Sequence, residues 1–413
     1  MARTILHSDL NNCYATIELL HRPAMRGQPF AVGGDVEARH GIILSKDDLA
    51  KKAGVKTGEA IWQAREKCPN LIVVPSDLDL YSRFCRRVRR IYGDYSDRVQ
   101  PFGMDECWVD LTGAEHLHGD GETVANLLRK RIKEELGLTI SVGVSYNKIF
   151  AKLGSDYKKP DATTVITKEN YKEIVWPLPA GDLLNVGPSN QKKLARYGIN
   201  TIGAIANTSP DGLEHILGTM GLMLHRFANG YDTAPVIREG EEAVFQSVGN
   251  SITAIRDIVS VEDAKIILLG LSESVAARLR RSGVVSSCVV LSVRDSRLIG
   301  YERQARLEVA TDQAKELYLA ALALLKAHHR WATPIRALGV RATALTGGKD
   351  LQAQCSLFRD DAAWQKNRKI ESTMDHLRGR FGNKVIQRGM MYLDKDLAAF
   401  DAERHTIHPV GYS

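Results

Sequence analysis

Two adjacent acidic residues, Asp105 and Glu106, stand in a short apolar and aromatic stretch that covers residues 102–110. Because consecutive side chains of a strand point to opposite faces, these carboxylates can converge only near a bend, and Gly103 just upstream provides one. Two carboxylates at a hairpin tip repel each other unless a cation lies between them, and oxygen ligands of this kind suit Mg²⁺. A solvated surface pair is the alternative that this stretch alone leaves open.

A third carboxylate, Asp9, ends a short, mainly apolar run that begins at Thr4, as a central strand leading into a site would. Three carboxylates from two strand ends can hold two Mg²⁺ ions about 3.5–4 Å apart. This arrangement activates an attacking oxygen and stabilises the leaving oxygen in phosphoryl transfer. The acidic residues therefore predict a two-metal site for phosphoryl transfer.

The elements around these residues follow a β-α-β-β-α-β order, which is the order of ferredoxin-like folds. This order places Asp9 and the hairpin of Asp105 and Glu106 on neighbouring strands. Residues 16–77 are predicted to form a small insertion with short helices near 46–53 and 58–67. The main elements are strands over 4–9, 98–103, 106–112 and 139–145 and helices over 80–93 and 122–136.

One face of the predicted helix 80–93 carries Arg83, Arg86, Arg87 and Arg90, opposite an apolar face that includes Val88. Two interpretations stay open for these arginines. They form either a solvated helix face or a contact to phosphate.

The chain beyond residue 166 is predicted to contain a helical region, a linker and a second α+β module. Residues 167–230 are wholly helical in pattern, with a helix-hairpin-helix at 184–194 whose glycine turn could approach a phosphate. A tight helical turn that binds nothing is the alternative. Residues 231–243 are polar and have the composition of a linker. The module repeats the β-α-β-β-α-β order without the carboxylates, with strands near 244–253, 287–295, 303–309 and 336–345 and helices over 261–281 and 312–328.

The bulk composition is that of a multidomain globular protein with a polyanionic partner. The chain has 413 residues, 44% of them hydrophobic and 25% charged, with a net charge of +7 and a pI of about 9.0. Nucleic acid is the first candidate partner and a membrane surface the second. No apolar run reaches the roughly 20 residues of a membrane span, and no signal peptide is apparent. The six scattered cysteines indicate reduced thiols of the cytoplasm.

The ordered motifs resemble those of the Y-family (ImpB-MucB-SamB) of translesion DNA polymerases. They are Asp9-Leu10 with Tyr14-Ala15, then Asp105-Glu106, residues 141–152, and Lys159-Pro160-Asp161. The resemblance covers roughly residues 3–346, and the ordered set is far more specific than any one motif. It implies an α+β multidomain fold. The implied domains are a ferredoxin-like palm (1–15 and 78–166), fingers (16–77), a helical thumb (167–230), a linker (231–243), a little finger (244–346) and a C-terminal extension (347–413).

The resemblance also implies roles at the site. The carboxylates of Asp9, Asp105 and Glu106 and the carbonyl of Leu10 match the ligands of two Mg²⁺ ions, with Asp105 and Glu106 as the catalytic pair. The candidates for binding the deoxynucleoside triphosphate are Tyr14, Ser45, Asp48, Lys51 and Lys159. Tyr14 matches the steric gate that occupies the space of a 2′-hydroxyl, although a tyrosine of the core is the alternative. Lys148 and Lys152, four residues apart on one helix, are expected to line the same side of the site.

Two of these candidates depart from the family pattern. Asp48 stands where the family has a tyrosine that contacts the triphosphate, and Lys51 stands where it has an arginine. Lys51 keeps the charge but loses the planar fork, and a carboxylate at position 48 would repel a polyphosphate. Asp48 is therefore expected to point away, bind a cation or lower nucleotide affinity.

Further residues match the DNA and clamp contacts of the family. Residues 347–413 contain Gln354, Leu357 and Phe358, which resemble the peptide that binds the bacterial sliding clamp, although a helix start is the alternative. One more helix is predicted near 362–380, and the last dozen residues are expected to be disordered. The candidates for DNA binding are Gly187, Lys192, Arg278, Arg294, Arg336 and Arg341.

The sequence thus predicts a template-directed, error-prone DNA polymerase for translesion synthesis and repair. The expected partners are primer–template DNA, deoxynucleoside triphosphates and the sliding clamp, with no membrane, and the expected state is a monomer in the cytoplasm, associated with the nucleoid. Two other functions stay open. One is a nucleotide cyclase with a related palm, and the other is a non-catalytic DNA- and clamp-binding protein with a weakened nucleotide site.

Overall fold

A computed structural model describes residues 3–35, 41–238, 241, 246–347 and 361–400. The chain divides into two compact units, which are described separately. Of the described residues, the first contains 3–34, 42–238 and 241, and the second contains 35, 41, 246–347 and 361–400. The candidate clamp residues Gln354, Leu357 and Phe358, and the final residues 401–413, lie outside the described part. In that part, no helix combines the length and apolar character needed to cross a membrane.

The first unit contains eight strands and twelve α-helices in its described residues. In chain order they are β1 (Ile5–Leu10), α1 (Cys13–His21), β2 (Phe30–Gly33), β3 (Ile43–Lys46), α2 (Asp48–Lys52), α3 (Ile61–Lys67), β4 (Ile72–Pro75), α4 (Leu78–Gly93), β5 (Val99–Pro101), β6 (Glu106–Asp110), α5 (Glu115–His118), α6 (Gly121–Leu136), β7 (Ile140–Ser145), α7 (Lys148–Tyr157), β8 (Thr163–Ile166), α8 (Tyr171–Val175), α9 (Pro188–Ala195), α10 (Ile202–Asn207), α11 (Pro210–Leu217) and α12 (Thr219–Ala228). Short 3₁₀ turns occur at Pro23–Met25 and Ala180–Asp182.

A five-stranded sheet in the order β5-β6-β1-β7-β8 forms the centre of this unit. The first four strands have the ferredoxin-like arrangement, with β1 antiparallel to both β6 and β7, so the predicted neighbours are confirmed. The fifth strand, β8, pairs in parallel with β7 and was not predicted. Its four residues are too few to show a period in the sequence. Strands β1 and β7 are buried along their whole length, as central strands covered on both faces are.

Helices cover both faces of this sheet. Helix α4 buries Tyr81, Cys85 and Val88, at intervals of four and three residues, in the same core as Leu6 of β1. Helix α6 packs in that core too, and Asp120 caps its N-terminus by accepting a hydrogen bond from the Thr123 amide. Helix α7 lies against the other face, where its residue Ala151 contacts the cluster that contains Ile5 and Trp108.

The insertion after β1 folds around a small sheet of its own, in the order β3-β2-β4. The predicted helices near 46–53 and 58–67 are present as α2 and α3, but the three strands were missed. Each strand has only four residues, and its register depends on contacts made far along the chain. The predicted boundary after residue 15 falls inside α1, which continues from the end of β1 into the insertion.

The segment 231–238, predicted as part of a linker, is held against the first unit. Arg3 Nη2 donates to the Ala234 carbonyl over 2.7 Å, and the Lys148 ammonium donates to the Pro235 carbonyl over 3.3 Å. The side chain of Val236 is buried beside Ile5. This part of the linker therefore has a fixed path on the unit that precedes it.

The second unit is an antiparallel four-stranded sheet with helices against it. Its elements are β9 (Ser247–Ile258), α13 (Val261–Arg281), β10 (Val284–Asp295), β11 (Gly300–Thr311), α14 (Ala314–His328), β12 (Ile335–Gly347) and α15 (Asp361–Phe381), with a 3₁₀ turn at Gly389–Tyr392. The predicted order is confirmed, in the sheet arrangement β11-β10-β12-β9. Buried ion pairs join α15 and Arg388 to α13, since Glu371 binds both Arg280 and Arg388 at 2.8 Å.

Gly143 of β7 lies where α7 crosses the sheet, and an added Cβ would overlap the carbonyl oxygen of Ala151 and the amide of Ser155. Backbone atoms cannot rotate away as a flexible side chain can. We therefore expect Gly143→Ala to lower the free energy of unfolding by about 2–3 kcal/mol, measured by urea denaturation. The matched control is Gly93→Ala, which adds a Cβ into open space and should be nearly neutral. Equal stability of the two variants would contradict the close crossing.

Candidate active site

Three carboxylates meet at the ends of β1 and β6. The register pairs Asp9 with Glu106, and the Leu10 amide donates to the Asp105 carbonyl over 3.1 Å. Gly103, at a φ of 84°, provides the predicted turn before the pair. The fold thus brings Asp9, Asp105 and Glu106 to the same edge of the sheet, as the sequence predicts.

Two lysine ammonium groups bind these carboxylates. Lys159 Nζ lies 2.7 Å from Asp9 Oδ2 and 2.6 Å from Asp156 Oδ1. Lys152 Nζ lies 2.6 Å from Glu106 Oε2, 3.3 Å from Asp156 Oδ2 and 3.9 Å from Asp9 Oδ2. The site is therefore a compact array of alternating charges.

Burial and charge set the protonation of the three carboxylates in different directions. Burial raises the pKa of Asp9 to about 7, although Lys159 opposes the shift, and burial with the charge of Glu106 raises the pKa of Asp105. For Glu106, burial alone would raise the pKa, but the contact with His7 and the charge of Lys152 lower it to about 2. Glu106 therefore stays ionised at neutral pH, whereas Asp9 is near its titration midpoint.

His7 is a contact that the sequence analysis missed. It is fully buried, its Nε2 lies 3.2 Å from Glu106 Oε2, and its Nδ1 lies 2.8 Å from Ser155 Oγ. Burial lowers the pKa of His7 to about 4, so the ring is neutral at pH 7. The Ser155 hydroxyl donates to the Lys152 carbonyl over 2.8 Å, so Ser155 Oγ is the acceptor in its contact with His7 Nδ1. His7 Nε2 lies beside Glu106 Oε2 without a hydrogen bond between the two atoms. Its position two residues before Asp9, on the same face of β1, is the signal that could have identified it.

The loop that carries Lys159 is fixed by side chains of the sheet and of α6. Asn11 Oδ1 accepts a hydrogen bond from the Asp161 amide over 2.9 Å, and Asn11 Nδ2 donates to Ser141 Oγ over 2.9 Å. Arg129 Nη2 lies 2.9 Å from Asp161 Oδ1. Asn11 and Arg129 were also missed by the sequence analysis, since they are distant from the loop along the chain. Lys148 does not join Lys152 at the carboxylates, because its ammonium donates to Gln100 Oε1 over 2.7 Å.

Tyr14 stacks on a second tyrosine at the start of α1. Its ring lies 4.4 Å from that of Tyr81 with an interplanar angle of 13°, and the Tyr81 hydroxyl donates to Glu18 over 2.7 Å. Burial raises the pKa of Tyr14, so its hydroxyl stays protonated. The stack holds the Tyr14 ring in one place next to the carboxylate edge.

The insertion places its candidate residues next to α1. Asn12 Nδ2 donates to Asp48 Oδ1 over 3.0 Å, and Ser45 Oγ accepts a hydrogen bond from the Ala15 amide over 3.3 Å. The side chain of Lys51 is exposed in α2. Asp48 is therefore bound by Asn12 at the N-terminus of α1, a partner that the sequence analysis did not anticipate.

The chemistry of this edge suits a divalent cation. In the described residues, no three acidic, histidine or cysteine side chains are already arranged as a metal cluster, and the two ammonium groups occupy oxygens of Asp9 and Glu106. The donors are nonetheless all oxygen, which hard cations prefer. The raised pKa values of Asp9 and Asp105 show that the buried negative charge is incompletely balanced. The residues therefore fit a cation such as Mg²⁺.

Comparison with known proteins assigns the family. The sequence profile of the impB/mucB/samB family matches residues 8–156, and the profile of the C-terminal domain of that family matches residues 245–357. The chain is 47% identical to the DNA polymerase IV of Acetivibrio thermocellus over 96% of this chain and 99% of that protein. The chain belongs to the impB/mucB/samB family. It is also 35% identical to DNA polymerase IV 1 of Bacillus subtilis over 94% of this chain and 93% of that protein.

The fold agrees with this family. A Y-family DNA polymerase chimera superposes with a TM-score of 0.71, at 22% identity, over 83% of this chain and 98% of its own. The predictions of an α+β Y-family member and of a DNA-directed DNA polymerase are therefore confirmed at the level of the family. The roles of individual residues remain predictions.

The residues of this impB/mucB/samB protein that were predicted to contact DNA differ in what they already bind. Gly187 is the N-cap of α9, and Lys192 is exposed in the last turn of that helix. In the second unit, Arg278 donates to the Gly249 carbonyl over 2.8 Å, and Arg341 lies 2.8 Å from Glu302. Arg294 is exposed on β10, and Arg336 is half-buried on β12.

The raised pKa of Asp9 predicts a pH dependence of stability. The folded pKa of about 7 exceeds the usual value of about 3.9, so the folded state holds the proton more tightly and loses stability as the pH rises from about 4 to 7. Asp9→Asn removes this titration. In EDTA, the stability of Asp9→Asn relative to the wild type should therefore rise by about 1–3 kcal/mol between pH 4.5 and 7.5, measured by urea denaturation.

The control for this experiment is Asp156→Asn, which removes a more exposed carboxylate from the same two lysines. Its stability should follow the wild-type profile over this pH window. Parallel profiles for Asp9→Asn and the wild type would show that Asp9 titrates normally.

Proposed function

We propose that this protein is a template-directed DNA polymerase that adds deoxynucleotides to a primer 3′ end by two-metal phosphoryl transfer. The observation that carries the proposal is the pairing of Asp9 with Glu106 across β1 and β6, next to Asp105. It places three carboxylates from two strand ends at one edge, where they would supply oxygen ligands to a cation. Membership of a family whose relatives include DNA polymerase IV supports the same reaction.

The carboxylates of Asp9, Asp105 and Glu106, with the Leu10 carbonyl, would hold two Mg²⁺ ions. When bound, such ions lower the pKa of a primer 3′-hydroxyl and neutralise charge on the leaving pyrophosphate. The fully buried His7 ring packs against one oxygen of Glu106 and limits its movement. Because Glu106 has a pKa of about 2, it is available as an anionic ligand throughout the physiological range.

Lys159 and Lys152 are the side chains best placed to bind the phosphates of an incoming nucleotide. Their ammonium groups lie at the carboxylate edge and carry a compact positive charge. Asn11 and Arg129 fix the loop of Lys159 from two sides, so its ammonium needs little reorganisation. Lys51 and Ser45, in the insertion, would approach the same triphosphate.

Tyr14 is the proposed steric gate against ribonucleotides. Its ring is immobilised by the stack on Tyr81, and the Tyr81 hydroxyl is in turn held by Glu18. A fixed ring excludes a 2′-hydroxyl more strictly than a mobile one, because it cannot rotate away to make space.

The remaining assignments of the proposal follow the family. The five-stranded sheet is the palm, the insertion the fingers, α8–α12 the thumb, and the second unit the little finger. The helix-hairpin-helix with Gly187 and Lys192, and the sheet face with Arg294, would contact the DNA backbone. We further propose translesion synthesis in DNA repair, a monomer at the nucleoid in the cytoplasm, and binding of the sliding clamp through Gln354, Leu357 and Phe358.

The decisive test is single-nucleotide primer extension on an undamaged template with Mg²⁺. The wild type should incorporate the templated nucleotide, and Asp105→Ala should lower kcat by about a thousandfold or more, since it removes a ligand from the reacting centre. Incorporation that survives in Asp105→Ala would refute the assigned site. DNA binding without incorporation by the wild type would instead support the non-catalytic function, and cyclisation of ATP without DNA would support the cyclase.

Asp48 is expected to weaken triphosphate binding. Asp48→Asn keeps a possible acceptor for Asn12 but removes the negative charge, and Asp48→Tyr restores the residue type of the family. Both variants should lower the KM for the nucleotide by about threefold to tenfold with little change in kcat. A lower KM in Asp48→Tyr alone would mean that the ring matters, and unchanged values in both would place Asp48 outside the nucleotide site.

His7 is expected to act as a positioning residue for Glu106. His7→Phe replaces the polar ring beside Glu106 by an apolar ring, whereas His7→Gln keeps a polar group near the position of Nε2. We expect His7→Phe to weaken Mn²⁺ binding by about tenfold, measured by electron paramagnetic resonance without DNA, and His7→Gln to recover most of the affinity. The control is Ser8→Ala on the opposite face of β1, where Ser8 bonds to Tyr92 over 2.6 Å. An equal loss in Ser8→Ala would indicate general damage to the strand.

A further inference from the structure

Four arginines form a continuous stripe along the outer face of α4. Arg83, Arg86, Arg87 and Arg90 follow one another at intervals of three, one and three residues, so they share a face. All four are exposed, and they lie opposite the buried face that contains Cys85. We call these four residues the α4 stripe.

The stripe has no carboxylate partner within the described residues, and the neighbouring helix shows how unusual this is. Helix α6 also carries four cationic residues, and each of them has an acidic partner within 4.0 Å. The pairs are Arg129 with Asp161, Lys130 with Glu134, Arg131 with both Asp94 and Glu135, and Lys133 with Asp161. The α6 cations are therefore used inside the molecule, whereas the charges of the α4 stripe are available to a ligand.

The stripe does not stabilise the helix that carries it. Like charges three and four residues apart on a helix repel each other, and the stripe contains four such pairs, 83 with 86, 83 with 87, 86 with 90 and 87 with 90. The only acidic residue of α4 is Asp79, in its first turn. Four closely spaced like charges without compensation favour an anionic binding partner over a structural role.

The chemistry of the face identifies the partner. None of the exposed large apolar side chains in the described residues lies on α4, so the face lacks the apolar anchors that protein interfaces place at their centre. The stripe spans about 10.5 Å along the helix axis, and a DNA strand carries one phosphate per roughly 3.4 Å of its axis. We propose that the α4 stripe binds the phosphodiester backbone of DNA, in contact with about three successive phosphates.

The position of the stripe connects it to the candidate active site. Arg89 of the same helix donates from Nη1 to the Met104 carbonyl over 3.3 Å, and Met104 directly precedes Asp105. This hydrogen bond links α4 to the turn that carries the catalytic pair. Because α4 and α7 cover opposite faces of the sheet, a strand that leaves the active site reaches the outer face of α4 by passing around the sheet. The source of the strand is either the single-stranded template ahead of the site or the duplex behind it.

The test is equilibrium DNA binding by the full-length chain, measured by fluorescence anisotropy in EDTA without nucleotide over a series of salt concentrations. Three DNAs are compared. The first is a short duplex with a template overhang of about 3 nucleotides, called the short DNA. The two long DNAs are the same duplex with an overhang of about 25 nucleotides and a long blunt duplex. The variant replaces all four arginines of the stripe by glutamine. On one of the two long DNAs, the slope of log K against log salt should fall by about 3, with at least a tenfold loss of affinity at low salt. The short DNA should be affected least.

A pair of charge-matched variants separates a local contact from net charge. Arg86→Gln with Arg90→Gln removes two charges of the stripe, and Lys366→Gln with Lys369→Gln removes two exposed charges of α15. The first pair should lower the salt slope by about 1.5 and the second should leave it unchanged. Replacement of the four arginines by lysine should keep most of the slope. A loss on the DNA with the long overhang would show that the stripe follows the template strand, and a loss on the long blunt duplex would show that it follows the duplex.

Two outcomes would overturn the proposal. The first is a glutamine variant whose slopes match the α15 control on both long DNAs. The second is a glutamine variant with a lowered Tm and equal losses of affinity on all three DNAs. Relief of like-charge repulsion should leave Tm unchanged or slightly higher, so this result would indicate structural damage instead of a lost DNA contact. The proposal goes beyond the polymerase assignment and is measured without turnover. A chain that fails primer extension but shows stripe-dependent binding would refute the proposed function and keep this inference.

Discussion

The structure of the first unit is constrained by three carboxylates, one buried and two half-buried, that repel one another. Asp9 and Glu106 face each other across β1 and β6, in a place where burial strengthens every charge interaction. Their repulsion is offset by lysine side chains that come from another part of the chain. Helix α7 supplies Lys152 and the loop after it supplies Lys159. The close crossing of α7 over Gly143 is what brings these groups within reach, so the packing of one glycine and the electrostatics of the site are linked.

The same crossing organises the less exposed side of the site. Ser155 of α7 bonds to His7, and His7 contacts Glu106, so the helix determines the orientation of a carboxylate that it does not itself carry. Glu106 receives both this contact and Lys152, and its pKa falls. Asp9 receives a lysine but is buried more deeply, and its pKa rises. Neighbouring carboxylates with opposite pKa shifts are a recognised feature of sites that are organised for chemistry rather than for stability.

The sequence allowed the acidic residues to be found because their placement depends on short-range rules. Asp9 ends an apolar strand, Gly103 turns the chain before Asp105, and the β-α-β-β-α-β order makes their strands neighbours. The contacts that were missed depend on residues far apart in the chain. Asn11 reaches Asp161, and His7 reaches Ser155, and no local period encodes such a pair. The small sheet of the insertion was missed for a related reason, since its four-residue strands are specified by their partners and not by their own sequence.

The positions of the arginines are the clearest case in which the structure gives information that the sequence does not. The sequence counts arginines, but only the fold tells which of them already have partners. In the second unit, the predicted DNA contacts Arg278 and Arg341 bind a carbonyl and a carboxylate of the protein, and Arg280 and Arg388 are used to hold α15.

Every cation of α6 is paired with a carboxylate. None of the four stripe arginines of α4 has a carboxylate partner among the described residues. A net charge of +7 is therefore an incomplete guide to where a polyanion binds. An arginine that is already neutralised by a carboxylate has to exchange that partner for a phosphate, and the gain is small. An exposed arginine without a carboxylate partner keeps its charge for a ligand, which is why the proposed DNA contact lies on α4 and not on α6.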